Sequence, residues 1–260
     1  MEMMPLFWSE FGILFVAALV GGAAVLPYSI RLLKGSGKPL KMSISKLVLL
    51  SFLQTVILSA IVIGVGLLAA HAVGLGAPYI EATLAGTAPA QPIVFMLEMA
   101  ISLGVLAGAA LLIADLFFLP YWPEQIVETA RKTTLWENFL ASLYGGINEE
   151  LLMRLFGFSV LVWLLLFVWH PNIAIFWIVN VVMAVVFGIG HLPALKSLAG
   201  NISRIMLART LLLNAPVGLI CGWLFWTYGI EAAIVAHFSA DVVYHVFGTV
   251  VLRRKLGATN

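Results

Sequence analysis

Seven apolar runs, all but the fourth close to the thickness of a bilayer, are separated by polar or Pro/Gly breaks. They cover about residues 11–33, 46–70, 93–119, 135–169, 173–190, 205–228 and 230–252. A membrane-spanning helix needs about 20 mostly apolar residues. Lipid offers no partner to a backbone N–H or C=O, so a run of this kind has to be helical. Charge agrees with the pattern: only 10% of the residues are charged and 62% are hydrophobic. A soluble domain carries roughly a quarter charged residues, so no water-facing shell can be built here. The sequence therefore reads as all-α, a polytopic transmembrane helical bundle of seven to eight spans. It forms one membrane-embedded domain over 1–260, with N-terminal spans in 1–130 and core spans in 135–252. The count depends on the run at 135–169. As one straight helix its roughly 35 residues would be about 52 Å long, which calls for a kink near Gly145–Gly146 or a split near Gly157.

The basic residues set the orientation. Arg31, Lys34, Lys38, Lys41 and Lys46 cluster after the first run with no acid among them, which makes that loop cytoplasmic and the N-terminus external. Residues 71–92 contain no Lys or Arg and read as external. Arg131 and Lys132 mark a second, amphipathic cytoplasmic segment, and Arg253, Arg254 and Lys255 make the C-terminal tail cytoplasmic. No basic stretch precedes the first run, which reads as a retained span and not a cleaved signal. A net charge of +2, distributed as this orientation signal, points to the lipid bilayer and not to nucleic acid. The single cysteine, Cys221, excludes an internal disulfide and a multi-cysteine metal site, and reads as a small packed residue.

Ionisable residues inside spans cost about 2.5–3.5 kcal/mol each on insertion scales and mark function by default. Glu10 and Glu98 fall near interfaces, Asp115 reads as structural, and Lys46 and Arg209 read as snorkelling from span ends. His71 and His170 read as interfacial. The remaining charges gather late in the chain: Glu149, Glu150, Arg154, His191, His237, Asp241 and His245. Glu150 and Arg154 stand four apart with the acid first, the offset of an intrahelical ion pair. Glu149 points about 100° away on an α-helix and keeps its carboxylate free. His237 and Asp241 also stand four apart and share a face, which His245 continues beside Tyr244. A histidine with a carboxylate at that offset can hold a metal, orient a water or donate to an oxyanion. His191 follows the small residues of "FGIG".

Three stretches, "EELLMR" (Glu149 to Arg154), "FGIGH" (Phe187 to His191) and "HFSAD" (His237 to Asp241), resemble in order the EExxxR, FxxxH and HxxxN/D motifs of the CAAX protease and bacteriocin-processing family, the Abi intramembrane proteases. The resemblance covers about 135–246. It implies hydrolysis of a peptide bond in a membrane protein or lipidated peptide, including prenylated CAAX tails. It further implies Glu149 as the general base, assisted by His191. His237 and Asp241 would bind a metal or polarise the scissile carbonyl, and Glu150 and Arg154 would be a supporting pair. The third motif ends in Asp where the prenyl-protein proteases have Asn. An ionised carboxylate only accepts hydrogen bonds, which favours a divalent metal, zinc for example, held by His191, His237 and Asp241. The alternatives are a proton-coupled transporter, against which no repeated halves are visible, and a non-catalytic scaffold or immunity protein. One geometric demand remains. These spans place His191 near the inner end of its helix and His237 two turns from the outer end of its own. For the two to meet, Pro193 must kink a helix that continues past His191, or the boundaries within 201–213 must differ.

Overall fold

The computed structural model describes residues 3–35, 42–170 and 172–258. Lys38 and Lys41 of the basic loop and Pro171 of the turn before the fifth run lie outside the described residues. Among the described residues there are helices and no strand. The first apolar run is divided into α1 (Met3–Ala24) and α2 (Leu26–Gly35). Pro27 stands in the first turn of α2, where its missing N–H leaves no bond unmade. α3 (Ile44–Ala72) starts at Ser43, whose hydroxyl accepts the Lys46 N–H. The external loop holds α4 (Pro78–Ala85), and α5 (Ile93–Phe118) follows. The amphipathic segment is α6 (Glu124–Lys132). Thr134 and Glu137 then form a reciprocal capping box that starts α7 (Leu135–Tyr144).

Beyond Tyr144 the helix widens into two π segments, Gly145–Glu149 and Leu151–Phe158, and returns to α geometry in α8 (Ser159–Leu165). The junction residues Gly145, Glu150 and Ser159 all keep right-handed helical dihedrals. The long fourth run therefore stays helical from Leu135 to Leu165 and does not split near Gly157. Its wider i→i+5 turns stack more residues per turn, shortening a path that would be overlong as a straight α-helix. α9 (Ile173–Gly190) is capped by the Asn172 side chain. α10 (Leu192–Ala199), α11 (Arg204–Tyr228) and α12 (Ile230–Asp241) follow, then a third π segment (Val242–Phe247) and α13 (Gly248–Ala258).

Among the described residues six stretches are long and apolar enough to cross a membrane: 6–34, 44–72, 93–121, 173–199, 204–228 and 230–255. The protein is an all-α integral membrane protein. Apolar side chains such as Ile61, Leu68, Leu106 and Phe117 face outward, where lipid and not water meets them. The 135–165 path lies among the others, packed by α1, α3, α9, α11 and α12. α5 and α12 approach closely because Gly104 and Gly108 face the backbone of Ala236 and Ala240; a Cβ on Gly108 would sit 2.5 Å from the Ala240 carbonyl oxygen.

One sequence expectation is corrected. Arg209 does not snorkel: its Nε donates to Asp115 Oδ1 at 2.6 Å and its Nη2 to Oδ2 at 2.8 Å. Glu10, close to the end of its span as expected, is nevertheless buried, with 2% of its surface exposed. Both follow from the same cost. A charge drawn into a bundle is held by a partner more cheaply than it is left bare.

Candidate active site

The adjacent acids on the 135–165 helix have different fates. Glu150 and Arg154 are fully buried. Arg154 Nη1 donates to Glu150 Oε1 at 2.8 Å, and Nη2 donates to the Gly218 carbonyl of α11 at 2.8 Å. The guanidinium also lies over the Phe187 ring of α9, 5.2 Å from its centre. His237 of α12 joins the pair, its Nδ1 2.5 Å from the same Glu150 Oε1. A carboxylate only accepts, so Nδ1 carries the proton and the ring presents Nε2 to the rest of the site. One carboxylate oxygen thus ties together the helix of the first motif and the helix of the third.

Glu149 stays uncommitted. It is half-buried, and no hydrogen bond or ion pair holds it among the described residues. It is close enough to His237 to interact with it electrostatically. Asp241, one turn beyond His237, sets its Oδ1 3.7 Å from His237 Nε2 and 3.7 Å from His245 Nε2. Gly145 lies over this group: a Cβ there would be 2.5 Å from Asp241 Oδ2 and 3.5 Å from His237 Nε2. Only a residue without a side chain lets the first π segment close on α12 at this point.

His191 reaches the site through Phe187. Its Nδ1–H donates to the Phe187 carbonyl at 2.8 Å, leaving Nε2 free. The Phe187 ring stands edge-on between the two imidazoles, 4.8 Å from His191 and 5.5 Å from His237, centre to centre. The depth mismatch of the sequence-derived spans disappears because the helical path resumes at Leu192, carrying Pro193 in its first turn, and runs to Ala199. His191 therefore sits inside a 27-residue span and not at its end.

Three protein donors are the usual minimum for a catalytic zinc ion. No set of three drawn from His191, His237, Asp241 and His245 brings its donor atoms within 4.8 Å of one another. Among the described residues the buried set that does is Glu150, Cys221 and His237, and there Glu150 is already bound to the Arg154 cation. The residues assigned to metal from sequence do not, as placed, make a three-donor zinc site.

Residues 131–243 match the family model described as type II CAAX prenyl endopeptidase Rce1-like. The segment contains all three motifs and the residues that join them. Over that segment, somewhat under half of the chain, the sequence is similar to the CAAX protease family. No curated protein and no solved structure matches the chain.

A second buried network braces the third π segment. Tyr244, three residues past Asp241, donates to Asp115 Oδ2 at 2.6 Å and accepts from Arg209 at 3.1 Å. Arg209 lies over the Trp122 ring. From the other side, Asn138 of α7 donates to the His245 carbonyl and to Thr249, each at 2.8 Å. Sequence reasoning missed four contributors. The Gly218 carbonyl is a backbone group and carries no sequence signal. Cys221 faces the Glu150–His237 pair and not simply packed carbon. Asn138 and Asn180 were passed over, although an amide inside an apolar run is itself a signal. Asn180 donates to the Leu219 carbonyl at 3.0 Å and joins α9 to α11.

Proposed function

We propose that this protein is an intramembrane endopeptidase that hydrolyses a peptide bond in a membrane-associated protein or peptide, the tails of prenylated CAAX proteins being the substrate class its family suggests. One observation carries the reading: of two adjacent glutamates, Glu150 is held through its Oε1 by both Arg154 and His237, its Oε2 having no hydrogen-bond partner, while no hydrogen bond or ion pair holds Glu149. In this scheme Glu149 takes a proton from water as the water oxygen attacks the scissile carbonyl carbon. The free His191 Nε2 accepts from the same water and orients it. His237, in its doubly protonated form between Glu150 and Asp241, donates from Nε2 to the oxyanion. When the intermediate collapses, the C–N bond breaks and Glu149 returns its proton to the departing amine. Glu150 and Arg154 hold the His237 ring, and Asp241 fixes the position of its free edge. π segments recur at functional sites, and here two of them flank the reacting groups.

A divalent ion, where bound, would lower the pKa of its water; the His237 Nε2 and Asp241 pair is the place for it. Because a third donor does not converge, no step above depends on one. The basic residues Arg253, Arg254 and Lys255 support a cytoplasmic C-terminus. The testing experiment compares Glu149→Ala and His191→Ala proteins in vesicles, with a prenylated CAAX peptide and its unprenylated control as substrates. Both changes abolish cleavage if the reading is right; cleavage that survives both rejects it.

A further inference from the structure

At the opposite end of α12 from Asp241 lies a cavity of about 740 Å³. It is walled by the start of α1, the end of α3, α4 with its flanking loops, and residues 225–229. None of the motif residues lines it. Its ionisable lining is Glu10 of α1, His71 of α3 and Glu81 of α4, with no Lys or Arg. These three come from separate helices and bring one donor atom each within 4.8 Å of the others. His71 Nε2 is 3.1 Å from Glu10 Oε2 and 3.7 Å from Glu81 Oε1. Metal–ligand bonds of about 2.0–2.2 Å set tetrahedral donors about 3.3–3.6 Å apart, and the two distances bracket that range.

A further observation points to a ligand. Glu10 is 2% exposed, yet its Oε1 has no hydrogen-bond partner. A buried carboxylate oxygen left unpaired is costly, and a proton on His71 can engage only one atom facing Nε2. A cation between the three side chains can take the second oxygen of Glu10 as well. Glu81 is held ready because its Oε1 also accepts the Ala77 N–H at 2.9 Å. The Phe7 ring stands edge-on to the His71 ring and fixes its plane.

We propose that Glu10, His71 and Glu81 form a divalent transition-metal site, Zn²⁺ in class, with its remaining coordination positions open to the cavity. One imidazole and two carboxylates are a donor set suited to zinc. The site is independent of the peptidase reading, since it shares no residue with it.

The test uses full-length protein in detergent, stripped with a chelator and titrated with Zn²⁺ alone. Wild type is expected to bind one ion per chain with a dissociation constant below about 10 μM and to melt at a higher temperature when loaded. Co²⁺ in the same site should give visible absorption bands. His71→Gln and Glu81→Gln should each weaken Zn²⁺ binding at least tenfold and remove the shift in melting, whereas His237→Gln should bind Zn²⁺ as wild type does. Glu81 and His71 have 43% and 39% of their side chains exposed, so the metal-free variants are expected to fold; a melting transition measured without zinc verifies this. Should one of them fail to fold, the other carries the test. No saturable binding below about 100 μM, equal binding by His71→Gln and Glu81→Gln, or loss of binding in His237→Gln in their place would each overturn the proposal.

Discussion

Gly145→Ala separates catalytic geometry from stability. Gly145 has φ −56° and ψ −55°, ordinary helical values, so alanine meets no backbone strain. Alanine also gains roughly 0.5–1 kcal/mol over glycine inside a helix. The obstacle is the new Cβ, 2.5 Å from Asp241 Oδ2, where ordinary contact begins at 3.4 Å. Asp241 or the first π segment must therefore give way by about 0.9 Å. Overpacking of this size costs typically about 1–3 kcal/mol, so the net loss of stability should be about 0–2.5 kcal/mol. A displacement near 1 Å at reacting groups can cost about 100-fold in rate. Gly146→Ala is the matched control. Its Cβ would meet Phe238 Cβ at 2.9 Å and the Ile234 carbonyl at 3.2 Å, which is packing away from Asp241. The assay pairs thermal unfolding in detergent with single-turnover cleavage of a fluorogenic prenylated peptide. Gly145→Ala should lose about 100-fold in cleavage rate with a loss of stability no greater than about 2.5 kcal/mol; Gly146→Ala should lose stability and keep more of its rate. Equal rates for Gly145→Ala and wild type would refute the claim that the closeness of this segment to Asp241 matters.

Three further outcomes follow from the same geometry. Glu150→Ala strands a buried arginine, so it should cost about 3–5 kcal/mol, readable as lost folded protein in denaturant titration, along with lost cleavage; an unchanged midpoint would contradict the pairing. Asp115→Ala strands Arg209 in the same way. It should lower the melting temperature and also slow cleavage, because Tyr244 braces the segment after Asp241; a slower rate with a wild-type melting temperature would argue against this buried network. Chelation should leave the cleavage rate within about twofold, since no three of His191, His237, Asp241 and His245 converge on one point, and a rate that collapses and returns with Zn²⁺ would reverse that conclusion.

The periodic features of this protein were legible in sequence. The second, third and sixth apolar runs end within a few residues of α3, α5 and α11, because lipid leaves helix as the only option for such runs. The Glu150–Arg154 pair was legible from its spacing alone, and it forms as an i,i+4 bond. The π segments were not. Their turns arise where a helix has to seat Gly145 and Arg154 against neighbours on two sides, and no local pattern announces that. Arg209 was misread because proximity to a span end looks the same in sequence whether the side chain reaches water or Asp115, 94 residues earlier. The burial of Glu10 was hidden for the same reason; its partner His71 is brought to it by the pairing of α1 with α3. The contact of Phe187 with both His191 and His237 was not legible either, since only the tertiary fold brings that apolar ring to two imidazoles.

The most direct test of the account is the single-turnover cleavage rate of Glu149→Gln, with its melting temperature measured on the same preparation. Glu149 holds nothing in place, so the fold should melt as wild type does. As the general base, its loss should slow cleavage by about 10²–10⁴-fold. Cleavage at the wild-type rate by a protein that melts normally would contradict the assignment of Glu149 as the base.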